Sequence, residues 1–173
     1  MSQYVATEVV KLMIKRGTPV KGAKLVTPDV RERSETNVAG GINPGLTSGV
    51  LMLGITFKEN CLPTVALAKE GPDIRNTKAI DIYRELREYD IDVDVYDPWA
   101  NPAEVKHEYN INILGSSNPP SFGGEGGGFY AAIILAVAHN EFMKINLQEQ
   151  KNLGCIIYDV KGILNQAITD GRL

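Results

Sequence analysis

Short apolar runs, separated by stretches with helical spacing, organise the chain. Residues 50–55, VLMLGI, are apolar without interruption, which suits a strand covered on both faces. Residues 130–137, YAAIILAV, and 155–160, CIIYDV, read the same way. Residues 91–97, IDVDVYD, alternate apolar and polar positions and stop at Pro98, which predicts another strand; INIL at 111–114 is a shorter candidate. Between these runs the period changes. Val5, Val9, Leu12 and Met13 recur at helical spacing and predict a helix over 3–16, ended by Gly17 and Pro19. Over 76–90, Ala79, Ile82, Tyr83 and Leu86 share one face of a helix that Asp73 or Asn76 can cap. A helix over 141–153 and a final helical turn or two near 163–170 complete the pattern.

Alternation of apolar strands with amphipathic helices implies a parallel sheet covered by helices. The expected fold is α/β: a Rossmann-like three-layer sandwich of about five mostly parallel strands, with a helix at its N-terminus. Residues 25–49 and 115–128 have no sustained period and several glycines, and read as loops. The chain, at 173 residues, is long enough to bury a full core as one domain. A net charge of −3 gives no global attraction for nucleic acid or an anionic membrane. No apolar run reaches the ~20 residues needed to span a bilayer. Cys61 and Cys155 have neither a disulfide-framework nor a zinc spacing, and the acids of DIDVD at 90–94 alternate faces, so no metal site is expected. A reducing, cytoplasmic setting is the default.

In a sheet of this kind, ligands bind beyond the carboxyl ends of the strands, where strand order reverses. Phe57 and Lys58 follow the first strand there, the first offering an apolar face and the second an ammonium for a phosphate. Arg75 opens the next helix, where a guanidinium and unpaired backbone N–H groups can meet an anion. Lys161 follows the last strand on the same edge. Beside this stands a plainer reading, in which the lysines are solvated and Phe57 plugs the core. The first strand is followed by GITFKE, with a single glycine, so a dinucleotide cradled by backbone in this domain is disfavoured. Cys61 lies near Lys58, which can lower a thiol pKa, but neither His107 nor His139 is placed beside it by the sequence. His139 at a strand end reads as a structural histidine or a ligand contact, and Asp97 as a ribose-binding acid or an ordinary Asp-Pro turn.

With the loop stretches set aside, the segments KGAK, VLMLGITFKENC, PDIRNTKAIDIYRELREYDIDVDVYDPW, FYAAIILAVAHNEF and CIIYDVKGIL follow one another in order. This series closely resembles the C-terminal domain of the UDP-glucose/GDP-mannose dehydrogenase family, above all the branch that oxidises UDP-N-acetyl-hexosamines. The resemblance implies that residues 1–19 are the end of an inter-domain linker helix. Residues 20–173 are then a UDP-sugar-binding domain with insertions at 25–49, 62–71 and 115–128. It further implies that Phe57, Lys58 and Lys161 contact the UDP-sugar and that Arg75 reaches the NAD side of the cleft. NAD and the nucleophilic cysteine of the thioester mechanism belong, in that family, to an N-terminal domain whose motifs are absent from these residues. No catalytic residue is therefore expected here, and the chain alone is not expected to turn over. The implied partners are a UDP-sugar and the enzyme's own NAD-binding domain. Because the linker helix lies along the family's dimer axis, a homodimer driven by the apolar face of 3–16 is a further expectation. The alternative is a non-catalytic interaction module that presents its elaborated loops to a protein partner. A complete enzyme using Cys61 is a third, weaker reading.

Overall fold

The computed structural model describes residues 1–18, 20, 46–55, 78–120, 122 and 129–173. Its elements are α1 (Ser2–Lys15), β1 (Leu46–Leu53), α2 (Lys78–Glu88), β2 (Val93–Tyr96), α3 (Pro102–Tyr109), β3 (Phe129–Leu135), a 3-10 helix (Asn140–Lys144), α4 (Leu147–Asn152), β4 (Ile156–Asp159) and β5 (Gly171–Arg172). The strands form one five-stranded sheet in the order β2-β1-β3-β4-β5, and each neighbouring pair is parallel. This is the expected Rossmann-like α/β architecture. From β1 the chain crosses to β2 on one side and afterwards returns to β3 on the other, so strand order reverses at β1 and β3.

Side chains alternate across the sheet and build two apolar layers. Val50, Met52, Ala132, Ile134, Ile156 and Tyr158 face one way, onto Val5, Val9 and Met13 of α1 and Ile82 and Leu86 of α2. Leu51, Leu53, Ile133, Leu135 and Ile157 face the other way, onto Phe142, Leu147 and Leu164. Both faces being covered explains why the strands read as continuous apolar runs.

The apolar face of α1 is spent inside this domain: Val5, Val9 and Met13 are fully buried. That corrects the expectation of a free apolar face for self-association; the outward side of the helix carries Tyr4 and Ile14. The end of α1 is stitched to the last segments of the chain. Arg16 donates from Nη1 to the carbonyls of Gly154 (2.9 Å) and Cys155 (3.2 Å), and from Nη2 to Asp170 Oδ1 (2.6 Å). Asp170 Oδ2 in turn accepts from the backbone of Ile157 at 2.9 Å.

Several elements differ from the expected ones. Strand β1 starts at Leu46, inside the stretch read as loop, and its pairing with β3 shifts register between Thr47 and Val50. A shift of this kind absorbs the Ser48-Gly49 interruption that reads as a strand boundary. INIL contributes one parallel bridge, Leu114 to Tyr96, and no full strand. Residues 163–170, read as a helical turn or two, form no helix, and the fifth strand, Gly171–Arg172, was not foreseen. The helix over 141–153 is broken, because Asn146 caps a new one by accepting from Glu149 N at 3.2 Å. Helix α3 was not foreseen.

Candidate functional site

The carboxyl edge of the sheet is built from the segments that leave β1, β2, β3, β4 and β5. Among the sequence-predicted site residues, Lys161 is described and sits at this edge; Phe57, Lys58 and Arg75 lie outside the described residues, as does Cys61. The described chain stops at Ile55 and resumes at Lys78.

Two buried aspartates shape the edge. Asp97, fully buried at the end of β2, accepts at Oδ1 from the N–H groups of Trp99 (2.9 Å) and Ala100 (3.2 Å). Its Oδ2 accepts from Ile55 N at 2.8 Å, tying the exit of β1 to the turn after β2. Asp159, at the end of β4, repeats the device on its own turn. Its Oδ1 accepts from Lys161 N (2.9 Å) and Gly162 N (2.8 Å), and its Oδ2 from Leu164 N (2.7 Å). Negative charge close to the edge is thus turned inward and met by backbone dipoles. The turn that carries Lys161 is thereby held by its backbone, and Gly162 takes the left-handed φ of +67° that the turn requires.

An aromatic cluster fills the space above β1. His139 is buried, 3.9 Å from Asp97 Oδ2, with its ring 5.3 Å from that of Phe142 and 6.4 Å from that of Trp99. These contacts make it a packed histidine, as one of its two readings held. Asp97 likewise serves the turn reading, since both carboxylate oxygens are engaged by backbone. Trp99 is partly exposed, and the backbone N–H of Glu141 together with the Trp99 indole holds the Glu141 carboxyl below its ordinary pKa.

Gly54, the single glycine after β1, is explained by packing. Its φ is +87°, and a Cβ there would lie 2.7 Å from Val137 Cβ and 3.0 Å from Phe142 Cε2. The exits of β1 and β3 close on each other at this point, so the residue gives no backbone cradle for a pyrophosphate. Cys155 is also accounted for: it is a free thiol, 2% exposed, and burial pushes its pKa up to about 12, so it is no nucleophile. Among the described residues no group of three His, Cys, Asp or Glu side chains could hold a metal ion. No described helix is long and apolar enough to cross a membrane.

Residues 51–166 match the model of the UDP-glucose/GDP-mannose dehydrogenase family, UDP binding domain. The chain belongs to that family. The matched span runs from β1 through the Lys161 turn, so it contains the carboxyl ends of β1, β2, β3 and β4 but not β5. The chain is 38% identical over 176 residues to UDP-N-acetyl-D-glucosamine 6-dehydrogenase of Pseudomonas aeruginosa, which it matches along 100% of its own length and 32% of that protein's. To the protein of the same name from Salmonella typhi it is 33% identical, covering 100% of the chain and 31% of the relative. It therefore spans about a third of the length of these relatives. A solved structure of UDP-D-ManNAc dehydrogenase from Pyrococcus horikoshii is similar in fold, with a TM-score of 0.53 at 18% identity over 99% of this chain and 30% of that one.

Asp159 escaped the reading of the sequence, although a signal was there. Tyr96-Asp97 and Tyr158-Asp159 both end an apolar strand with a carboxylate followed by a turn. A short acid in that place accepts from the N–H groups two and three residues on.

Proposed function

We propose that this domain grips the UDP moiety of a UDP-N-acetyl-hexosamine for a dehydrogenase that oxidises the sugar's C6 alcohol to a carboxylate, in polysaccharide biosynthesis. The observation that carries the reading is the match to the family's UDP binding domain over residues that include the Lys161 turn, on the edge of a parallel sheet where such folds take ligands. Within this reading Phe57, Lys58 and Lys161 meet the nucleotide, and Arg75 faces the NAD side of the cleft. Residues 1–19 form the end of a linker helix, and 20–173 form the UDP-binding domain. At Gly54 the exit of β1 packs against Val137 and Phe142 and leaves no backbone cradle for the pyrophosphate of NAD. NAD would be held by an NAD-binding domain of the same enzyme, and no hydride step is derived from these residues. A cytoplasmic setting suits the free, buried Cys155. A homodimer belongs to the same reading, and sedimentation at high concentration checks it: a strict monomer removes it.

Chemically, the edge supplies cations without acting on the sugar. An ammonium beside a diphosphate offsets charge that a negatively charged chain would otherwise repel. Isothermal titration with UDP tests the proposal. Wild-type binding that weakens about tenfold or more in Lys161→Ala or Lys58→Ala, as loss of a charged hydrogen bond requires, supports it. Absence of binding at millimolar UDP, with neither substitution making any difference, overturns it.

A further inference from the structure

We propose that Arg172 is a second cation of the same site and contacts the phosphate groups of the nucleotide beside Lys161. This rests on the reading of the edge as a UDP site and adds a residue to it. Arg172 pairs in parallel register with Asp159, so it leaves the sheet at the carboxyl edge, one strand outward from the turn that carries Lys161. Leu173 N donates to the Asp159 carbonyl at 3.2 Å, which keeps the chain in strand register through the residue after it.

The direction of the side chain is set by its neighbour. A Cβ on Gly171 would lie 2.7 Å from the Tyr158 ring and 3.4 Å from Leu12, so position 171 points to the α1 side of the sheet. Alternation along a strand turns residue 172 to the opposite side. There its Nη2 lies 3.4 Å from where a Cβ on Gly162 would stand, which places the guanidinium against the turn 160–162. Asp159, the acid on the paired strand, has both oxygens engaged by the N–H groups of Lys161, Gly162 and Leu164. The exposed guanidinium of Arg172 thus stands over a turn whose own carboxylate is engaged by backbone N–H groups. The segment is also anchored, since Asp170 is bound by Arg16 and by Ile157 N.

A planar fork against the turn that carries Lys161 is suited to the oxygens of a phosphate or diphosphate, which it can engage in two parallel hydrogen bonds. The experiment is titration of the whole chain with UDP and with uridine, for wild type, Arg172→Ala and Arg172→Lys, with thermal unfolding of each. Arg172→Ala is expected to weaken UDP about tenfold or more with an unchanged melting temperature, to leave uridine unaffected, and to be partly rescued by Arg172→Lys. Wild-type binding with UDP affinity equal in Arg172→Ala overturns this assignment and leaves the UDP site standing. An equal loss for UDP and uridine also overturns it, since the residue would then not read phosphate. A wild type that binds no UDP overturns the underlying reading and the assignment with it.

Discussion

Replacing Gly54 by alanine separates packing from ligand approach as the reason for the glycine after β1. Two costs are expected. The left-handed conformation, φ +87°, costs a residue with a Cβ about 1–2 kcal/mol. The new methyl group also meets Val137 Cβ at 2.7 Å and Phe142 Cε2 at 3.0 Å, in a layer where both neighbours are buried. Overpacking of that kind costs about 1–3 kcal/mol. The sum, about 2–5 kcal/mol, corresponds at this chain length to a fall in melting temperature of roughly 4–20 °C. Gly17 provides the control: its φ is +73° and nothing lies within 4 Å of its Cβ position, so Gly17→Ala carries the conformational cost alone. Urea unfolding of both variants, followed by circular dichroism, measures the difference. If Gly54→Ala is no less stable than Gly17→Ala, the steric argument is wrong. If it keeps its stability but loses UDP affinity, the glycine serves the ligand.

Two further outcomes are expected from the buried polar groups. Asp97→Asn keeps one acceptor oxygen and puts an NH2 where the other was, opposite either Ile55 N or the N–H groups of Trp99 and Ala100. It should lower unfolding stability by about 2 kcal/mol, as loss of a hydrogen bond to a charged group does, and a variant within 0.5 kcal/mol of wild type would count against the bracket. Cys155 governs part of the alkaline response. Burial raises its pKa from the ordinary 9.0 to about 12, so the stability it contributes is fully present below pH 9 and is lost as pH rises toward 12. Three pK units correspond to at most about 4 kcal/mol. Stability measured from pH 8.5 to 10.5 should therefore fall less steeply in Cys155→Ala; an unchanged slope refutes the assignment. Tyr130, raised by burial and by Asp94, leaves a residual slope of the same sign.

The strands were legible because both faces of the sheet are covered, so burial wrote itself into the sequence as unbroken apolar runs such as 130–137. Helix α3 left no such trace: of its residues Val105 is the buried one, and one apolar contact makes no period. Its signal was in the caps. Asn101 accepts from Ala103 N at 3.0 Å, Pro102 opens the helix, and Asn110 closes it at φ +58°. Strand β5 is held by contacts distant in sequence, from Gly171 under Tyr158 to Asp170 on Arg16, and no local pattern announces it. The carboxyl edge and Lys161 followed from topology, whereas Arg172 depends on a pairing partner that only the fold supplies.

The arrangement of charge at the edge shows how an acidic chain can offer an anion site. Carboxylates at the ends of β2 and β4 would repel a phosphate if they faced outward. Each instead accepts three backbone N–H groups, which satisfies its oxygens at full burial and fixes the turn that follows it. At β4 that same turn carries Lys161 outward, with Arg172 laid against it. Inward acid and outward base are therefore two consequences of one hydrogen-bonded turn. The backbone of Lys161 is positioned by these hydrogen bonds. Because the Asp159 oxygens are taken up by N–H donors, the carboxylate reinforces the turn, and the exposed Lys161 and Arg172 give this edge its outward charge.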